Sequence, residues 1–326
     1  MYDFGFFKIS NLQAKVISIG NISTGGTGKT PFAELITRHI LDKNRFVAVV
    51  IKGYMREADD MKVAELGYAN DEGKLTSENF SDEGMQLLEN LKDVNDRGII
   101  VVGDDKSKSA KFADTKFQPD VIIIDDAFQH RKIRRDLDIV IINDRKDLML
   151  PAGNMREPLG NITRADIIVV NNKFGDDFIA SGTKHKPRVT CKYVLEGFFN
   201  INEEKLNPAD VSAIAFCGIG DPESFKKLLE INSIKINDFI KFPDHHFFSI
   251  DDIRKIFSAY TSGSNCIITT QKDFVRLKDS EVVLKAGVSN IFKELLSNYP
   301  IYYAKIKMQI SQNEEALFEK IDNILN

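Results

Sequence analysis

The chain has few cysteines, no long apolar run and little net charge, and each shortage removes a class of protein. Its three cysteines (Cys191, Cys217 and Cys266) lie far apart without a CxxC pair, which is typical of small buried side chains in a reducing compartment and not of a disulfide framework or zinc site. The sequence contains no apolar run of about 18 residues, the length that predicts a transmembrane helix, and no secretory signal is visible. The net charge of −4 argues against a general nucleic-acid binder.

The length and composition are those of a soluble globular protein with two domains. The 326 residues, 43% hydrophobic and 28% charged, are enough to bury a sizeable core. We predict a first domain at 1–174 and a smaller one at 211–326. Residues 175–210 between them are a loosely patterned linker, in which the apolar stretch 189–199 is compatible with a two-stranded ribbon.

The first domain contains apolar, β-rich runs that are near-continuous instead of alternating. They cover residues 16–19, 46–51, 99–102, 121–124, 139–142 and 167–170. Such runs are typical of strands buried on both faces of a parallel sheet. Helical patterns at 31–42 and 84–91 separate some of them, so we predict an α/β fold with helices flanking a parallel sheet and a site at the carboxyl ends of its strands.

The second domain repeats this alternation on a smaller scale. Strands are predicted at 213–217, 266–269 and 301–310, and helices at 222–231, 250–260 and 313–325. We therefore predict a second α/β domain that closes over a cleft, where a second substrate would bind.

A glycine-rich turn joins the first apolar strand to the first amphipathic helix. It comprises Ser23, Thr24, Gly25, Gly26, Thr27, Gly28, Lys29 and Thr30. Backbone N–H groups in such a turn surround phosphates, and the helix N-terminus adds a favourable dipole. Lys29 is placed to reach the β- and γ-phosphates, and the Thr30 hydroxyl to ligate Mg²⁺. Because Ser23 replaces the usual first glycine, a chance Gly-Lys-Thr is the alternative interpretation.

A second nucleotide signal follows the apolar run 121–124. Asp125 ends this run as in a Walker B strand, where its carboxylate would hold Mg²⁺ beside the phosphates. Asp126, Gln129 and His130 extend the polar cluster. An aspartate that caps a turn and an ordinary hydrogen-bonded loop histidine are the alternatives.

Acidic residues lie directly before the helical segment at 84–91. Asp82 and Glu83 follow Ser81 there. This pattern alone favours helix capping, because carboxylates and hydroxyls satisfy the free N–H groups of a first turn. The functional alternative is a carboxylate that projects into the cleft.

Two further polar turns are candidates for chemistry. Arg156 and Glu157 follow the strand at 139–142, where arginine would neutralise phosphate and glutamate would ligate Mg²⁺; a surface ion pair is the alternative. His245 lies in a Pro-Asp-His-His turn of the second domain. It is suited to tuning an acid or base, and a solvated turn is the alternative.

In their order and spacing, these motifs together resemble the tetraacyldisaccharide 4′-kinases of lipid A synthesis. The resemblance runs from Tyr-Asp-Phe-Gly at 2–5 to Thr-Gln-Lys-Asp at 270–273, most of the chain. It includes Gly-Asn-Ile-Ser-Thr-Gly-Gly-Thr-Gly-Lys-Thr-Pro at 20–31, Asp-Asp-Ala-Phe-Gln-His at 125–130, Arg-Glu-Pro at 156–158 and Phe-Pro-Asp-His at 242–245. The segments 52–54, 82–83, 164–166, 217–219 and 221–225 also match.

The resemblance implies ATP- and Mg²⁺-dependent phosphorylation of the 4′-hydroxyl of a tetraacylated diglucosamine 1-phosphate to give lipid IVA. It also implies a peripheral location at the cytoplasmic side of the bacterial inner membrane, with neither nucleic acid nor an obligate protein partner. Among the matching residues, Lys29 is the P-loop lysine, Asp82 the catalytic base and His245 its partner. The implied metal ligands are Thr30, Glu157, Asp125 and Asp126, and the implied phosphate or substrate contacts are Arg156, Gln129, His130, Glu83 and Lys52.

The chain departs from the family pattern at several positions. Lys52 stands where arginine is usual and keeps the charge without the bidentate fork; Ala127 replaces a glycine, and Gln271 a frequent glutamate. The family typically has an apolar helix before Tyr-Asp-x-Gly, whereas the sequence begins at that segment. There we predict a shallow interfacial contact by the aromatic residues Tyr2, Phe4, Phe6 and Phe7; packing of these side chains on the core is the alternative.

Other functions are compatible with a phosphate-binding turn. A P-loop ATPase of the MinD/ParA type, acting on a membrane or protein partner, is the main alternative. Its signature lysine precedes the double glycine, where this chain has Thr24, which disfavours the class. A nucleotide-gated binding module and a kinase for a soluble metabolite are further alternatives.

Overall fold

The structure is a computed structural model that describes residues 9–53, 61–67, 75–143, 149–174, 186–260, 263–279 and 299–326. It divides into two compact units. The first comprises Met1–Lys192 and Met308–Asn326, and the second Tyr193–Lys307. The predicted aromatic contact at the beginning of the chain lies outside the described residues.

The first unit is built on a mostly parallel sheet. Its strands are β1 (Lys15–Asn21), β2 (Val47–Lys52), β3 (Lys62–Glu65), β4 (Gly98–Gly103), β5 (Val121–Ile124), β6 (Leu137–Ile142), β7 (Ile167–Asn171) and the first part of β8 (Arg188–Phe199). Their order is β8-β7-β6-β1-β5-β2-β4-β3. Neighbours are parallel except β3 and β4, which are antiparallel. The predicted parallel α/β sheet is confirmed.

Helices cover this sheet because its strands are apolar on both faces. They are α1 (Lys29–Asp42), α2 (Ser77–Phe80), α3 (Asp82–Asn90) and α4 (Lys106–Phe117), with a 3₁₀ helix at Leu159–Arg164. Helix α1 buries Phe32, Ile36 and Ile40. Small residues let α4 pack closely, since Ala110 and Ala113 join the buried side chains of the central strands in one core cluster.

The second unit contains further strands and helices. They are β9 (Ser212–Cys217), α5 (Pro222–Ile231), β10 (Lys235–Lys241), α6 (Ile250–Ala259), β11 (Cys266–Thr270), α7 (Gln271–Asp279) and the first part of β12 (Ile301–Gln312). The strand order is β10-β9-β11-β12-β8. The core packs Phe216, Ile267 and Phe274 against α6 residues such as Ile253 and Ile256.

The linker region and the chain's end differ from the predictions. Residues 188–199 form one long strand, β8, and no two-stranded ribbon. The last helix, α8 (Glu314–Leu325), belongs to the first unit instead of the second. Its Asp322 accepts hydrogen bonds from His39 (2.7 Å) and Lys43 (3.0 Å) at the end of α1, and Phe318 stacks on the His39 ring at 4.0 Å. The predicted boundaries 1–174, 175–210 and 211–326 therefore differ from the observed units.

Candidate active site

Two buried asparagines hold the glycine-rich turn in shape. Asn21, the last residue of β1, donates a hydrogen bond to the Thr27 hydroxyl at 2.8 Å. Asn171, the last residue of β7, donates to the Thr27 carbonyl oxygen at 2.9 Å. Gly28 then caps α1 with a left-handed φ of 95°, a conformation that glycine adopts without steric cost. The turn is thus fixed between the ends of two strands.

A loop that follows β6 lies against the beginning of this turn. The backbone N–H of Thr24 donates to the Asn154 carbonyl at 2.7 Å, and the Thr24 hydroxyl to the Asn154 side chain at 3.1 Å. The N–H of Arg156 donates to the Ile22 carbonyl at 2.7 Å. These bonds place the backbone of Arg156 beside the glycine-rich turn.

Three cationic side chains converge on Asp126. The Lys29 Nζ lies 3.4 Å from Asp126 Oδ1, and the Arg156 Nη1 lies 3.1 Å from each carboxylate oxygen. The buried Lys106, at the start of α4, donates to the Asp126 main-chain carbonyl, and its Nζ lies 3.9 Å from Oδ2. The structure therefore brings together Lys29, Asp126 and Arg156, which come from separate motifs.

The protonation states in this cluster follow from burial and charge. Burial opposes ionisation of Asp126, but Lys29, Lys106 and Arg156 outweigh it and lower its pKa to about 2. Burial raises the pKa of the neighbouring Asp125, which accepts from the Asp126 N–H at 2.7 Å. Burial lowers the pKa of Lys106. Three basic groups facing two carboxyl groups leave an excess positive charge that suits phosphate oxygens.

Arg135 fixes the loop that carries the two aspartates. Its guanidinium donates to the carbonyl oxygens of Ala127 (2.6 Å) and His130 (2.7 Å) and is paired with Asp138. In the same loop, Gln129 donates to the Asn21 carbonyl at 2.8 Å. The His130 Nε2 lies 3.2 Å from the Ser107 hydroxyl, and burial lowers the pKa of that imidazole.

The remaining predicted residues of the first unit lie on different elements. Asp82 is buried at the start of α3 and accepts from the Glu83 N–H at 3.0 Å, whereas capping of the helix is done by Ser81, which accepts from Gly84 at 3.2 Å. Lys52 ends β2 and is exposed. Glu157 accepts from Asn161 at 2.7 Å and from Arg164 at 2.8 Å.

His245 belongs to the second unit. It lies in the turn between β10 and α6 and adopts a left-handed φ of 58°. Its N–H donates to the Gly218 carbonyl at 3.2 Å, directly after the end of β9. The residue is therefore placed at the carboxyl end of a buried strand, as functional residues of α/β sheets are.

Sequence reasoning missed Lys106, Arg135 and Asn171. Lys106 follows the apolar strand β4 within three residues. A polar residue shortly after an apolar strand is the signal that identified Asp125, and it also applied to Lys106. Asn171 ends β7, and its polar side chain after an apolar run was a similar signal. No local pattern indicated Arg135, because its partners are carbonyl oxygens of the preceding loop.

The donor set at the turn fits Mg²⁺. Asp125 and Asp126 offer carboxylate oxygens, and Thr30, the second residue of α1, offers a hydroxyl. Hard oxygen ligands of this kind, completed by phosphate oxygens and water, are what Mg²⁺ requires.

Comparisons with known proteins agree on one family. A family model described as "LpxK: Tetraacyldisaccharide-1-P 4'-kinase" matches residues 1–326. Among similar proteins, the tetraacyldisaccharide 4'-kinase of Chlorobium phaeobacteroides is 31% identical over 100% of this chain and 92% of its own length, and that of Aquifex aeolicus is 35% identical over 87% and 85%. A crystal structure of LpxK from Aquifex aeolicus in complex with ATP has a TM-score of 0.74 and 30% identity, covering 100% of this chain and 93% of that one.

Proposed function

The chain belongs to the tetraacyldisaccharide 4′-kinase family, and we propose that it binds the phosphates of ATP at the cluster around Asp126. It is an ATP-dependent kinase of a lipid A precursor, which phosphorylates the 4′-hydroxyl of a tetraacylated diglucosamine 1-phosphate. The observation that carries our proposal is the convergence of Lys29, Lys106 and Arg156 on Asp126 beside the glycine-rich turn. A MinD/ParA-type ATPase is not favoured, because the family match covers the whole chain and Thr24 occupies the signature lysine position.

The nucleotide is expected to bind along residues 23–30. The N–H groups of the turn and the start of α1 surround the β- and γ-phosphates. Lys29 and Arg156 exchange part of their contact with Asp126 for phosphate oxygens, and their charge stabilises the transferring group. Arg135, by holding the carbonyls of the loop, keeps Asp126 in place during this exchange.

Mg²⁺ is proposed to bind at Asp125, Asp126 and Thr30. Mg²⁺ bound with ATP would supply charge neutralisation at the β- and γ-phosphates. Glu157 is a fourth proposed ligand, and to serve as one it must loosen its contacts with Asn161 and Arg164.

The acceptor hydroxyl needs a base, because a sugar hydroxyl is a poor nucleophile. We assign this role to Asp82, whose carboxylate is buried at the first position of α3. A base held within reach of the hydroxyl removes its proton as the bond to phosphorus forms. The resemblance assigns His245 to the orientation of that base, and Glu83, Gln129, His130 and Lys52 to contacts with substrate or phosphate.

The test is a transfer assay with ATP labelled at its γ-phosphate. Incubation with the tetraacyl disaccharide 1-phosphate is expected to move label to the lipid in a Mg²⁺-dependent reaction. The matched acceptor already phosphorylated at its 4′-position should receive none. Release of labelled phosphate without any labelled lipid would contradict the kinase function and favour an ATPase.

We further propose that the enzyme acts at the cytoplasmic side of the inner membrane, because its substrate is an acylated lipid. Among the residues that the structure describes, no helix combines the length and apolar character needed to cross a bilayer. Phe6 and Phe7 are the candidates for a shallow contact, since aromatic side chains partition to the membrane interface.

Flotation with vesicles of phosphatidylethanolamine and phosphatidylglycerol tests this contact. Replacing Phe6 and Phe7 together by serine should reduce the vesicle-bound fraction several-fold, since most of the interfacial apolar area is lost. Ile231→Ser, which removes an exposed apolar side chain at the end of α5, is the matched control and should float like wild type. Equal binding of all three proteins would show that the two phenylalanines do not contribute to the membrane contact.

A further inference from the structure

We propose that Asp273 and Arg276, an ion pair of the second unit, position His245 for the transfer reaction; this rests on the catalytic role proposed above for His245. Both side chains are completely buried in α7. The Arg276 Nη1 lies 3.0 Å from Asp273 Oδ1. Neither residue belongs to the predicted catalytic set, although Asp273 ends the Thr-Gln-Lys-Asp segment on which the family resemblance partly rests.

The pair acts on the peptide groups on either side of Gly218. The Gly218 N–H donates to Asp273 Oδ2 at 3.0 Å, and the Gly218 carbonyl accepts from the Arg276 Nη1 at 2.8 Å. The same carbonyl accepts from the His245 N–H at 3.2 Å. One oxygen atom thus joins the buried guanidinium to the backbone of His245.

The backbone of His245 needs such support. Its φ of 58° lies in the left-handed region, which is unfavourable for a residue with a Cβ. A Cβ on Gly218 would lie 3.0 Å from the Pro243 carbonyl and 3.3 Å from the His246 Cβ, so the histidine turn is packed directly against this glycine. A change in the position of Gly218 is therefore transmitted to His245.

The other side of the turn is held independently. The Phe242 N–H donates to the Cys217 carbonyl at 2.8 Å, and His246 stacks on Phe242 with ring centroids 4.9 Å apart. The His246 Nε2 also lies 3.0 Å from Asp252 Oδ2 on α6. Between these fixed points, the His245 N–H is shared between the Gly218 carbonyl and Asp244 Oδ1, which lies at 3.1 Å. Of these two acceptors, Gly218 is the one that the buried ion pair holds.

A purely stabilising function explains this pair poorly. The free-energy cost of desolvating two charges cancels most of the stabilisation that their attraction provides. Buried ion pairs therefore contribute little net stability compared with apolar side chains. Asp273 is in addition fixed by Thr270, whose hydroxyl donates to Oδ2 at 2.6 Å. This arrangement defines one geometry for the guanidinium, which is what a positioning residue requires.

Arg276→Met in the full-length enzyme tests the proposal. Because small displacements of a catalytic group cost about 100-fold in rate, we expect kcat to fall by about that factor while KM for ATP stays near wild type. Arg276→Lys, which keeps a charged donor, should restore part of the rate. Thr269→Val, which deletes a buried hydrogen bond to the Phe216 carbonyl in the adjacent strand, is the control and should lower Tm without lowering kcat.

The decisive measurement repeats the substitution in a His245→Ala background under single-turnover conditions. If Arg276 acts through His245, the double variant should be no slower than His245→Ala within about threefold, since residues that act as a unit are not additive. An equal loss in both backgrounds, or a wild-type kcat for folded Arg276→Met, would overturn the proposal. If Arg276→Met does not fold, Asp273→Asn replaces it in the same comparison.

The same variants separate this proposal from the proposed function. A wild-type kcat for His245→Ala would refute the catalytic role of His245 and the positioning role with it. A slow His245→Ala together with additive losses from Arg276→Met would refute only the positioning role.

Discussion

Replacing Asp82 by alanine is expected to lower kcat by about 10⁴-fold, the upper range for loss of a general base, while the Kd for ATP stays at its wild-type value. Asp82 lies at the first position of α3 and is not part of the glycine-rich turn, so the turn is expected to keep its conformation in the variant. The carboxylate of Asp82 is the group to which our proposal assigns the proton of the sugar hydroxyl. Single-turnover transfer to the lipid and equilibrium binding of ATP measure the two quantities.

The control for this experiment is a second buried aspartate of the same unit. Asp114 on α4 accepts hydrogen bonds from the N–H groups of Gln13 (3.0 Å) and Ala14 (2.9 Å) before β1 begins, at the opposite edge of the sheet from the site. Asp114→Ala should therefore reduce the free energy of unfolding by about 1–3 kcal/mol without reducing kcat. Wild-type turnover of Asp82→Ala would rule out Asp82 as the base.

Replacing Lys29 by alanine is expected to lower kcat by about 10³-fold, the effect of deleting one strong electrostatic contact to the transition state. The fold should persist, because Asp126 retains Lys106 and Arg156 as partners. Because the charge of Lys29 then no longer stabilises the ionised carboxylate, the pKa of Asp126 should rise from about 2 towards its ordinary value. Steady-state transfer kinetics and thermal unfolding measure the activity and the fold.

Lys43→Ala is the matched control for Lys29. It removes the same charge just beyond the other end of α1, where Lys43 is half-exposed and pairs with Asp322. Exposed pairs of this kind contribute less than about 1 kcal/mol, so both kcat and Tm should change little. If Lys29→Ala is no slower than Lys43→Ala, the glycine-rich turn is not the phosphate site.

Buried strands were predictable because their composition is local. The apolar runs that became β1, β5, β6 and β7 show the unbroken pattern of strands covered on both faces. The strands at the margins were not predicted. β10 is exposed at most of its positions, and an edge strand of that kind gives no apolar run. Helix α4 escaped prediction because it buries mainly alanines and polar residues, which leave no apolar stripe.

The site was predicted as separate pieces. The glycine turn, the Asp125–Asp126 pair and Arg156 were each identified from the residue that follows an apolar strand. These residues come together because the strand order β6-β1-β5-β2-β4 brings the carboxyl ends of parallel strands to one edge of the sheet. That order also brings Lys106, which follows β4, to the main-chain carbonyl of Asp126.

The sequence by itself determined the family, the position of the glycine-rich turn and the type of most elements, because each depends on residues close together in the chain. The tertiary structure alone decided which side chains hold the site. Asn171 supports Thr27 across 144 residues, and Arg276 supports Gly218 across 58. The last helix likewise belongs to the first unit through contacts with α1. Such pairs follow from the packing of whole sheets and helices, and local periodicity does not encode them.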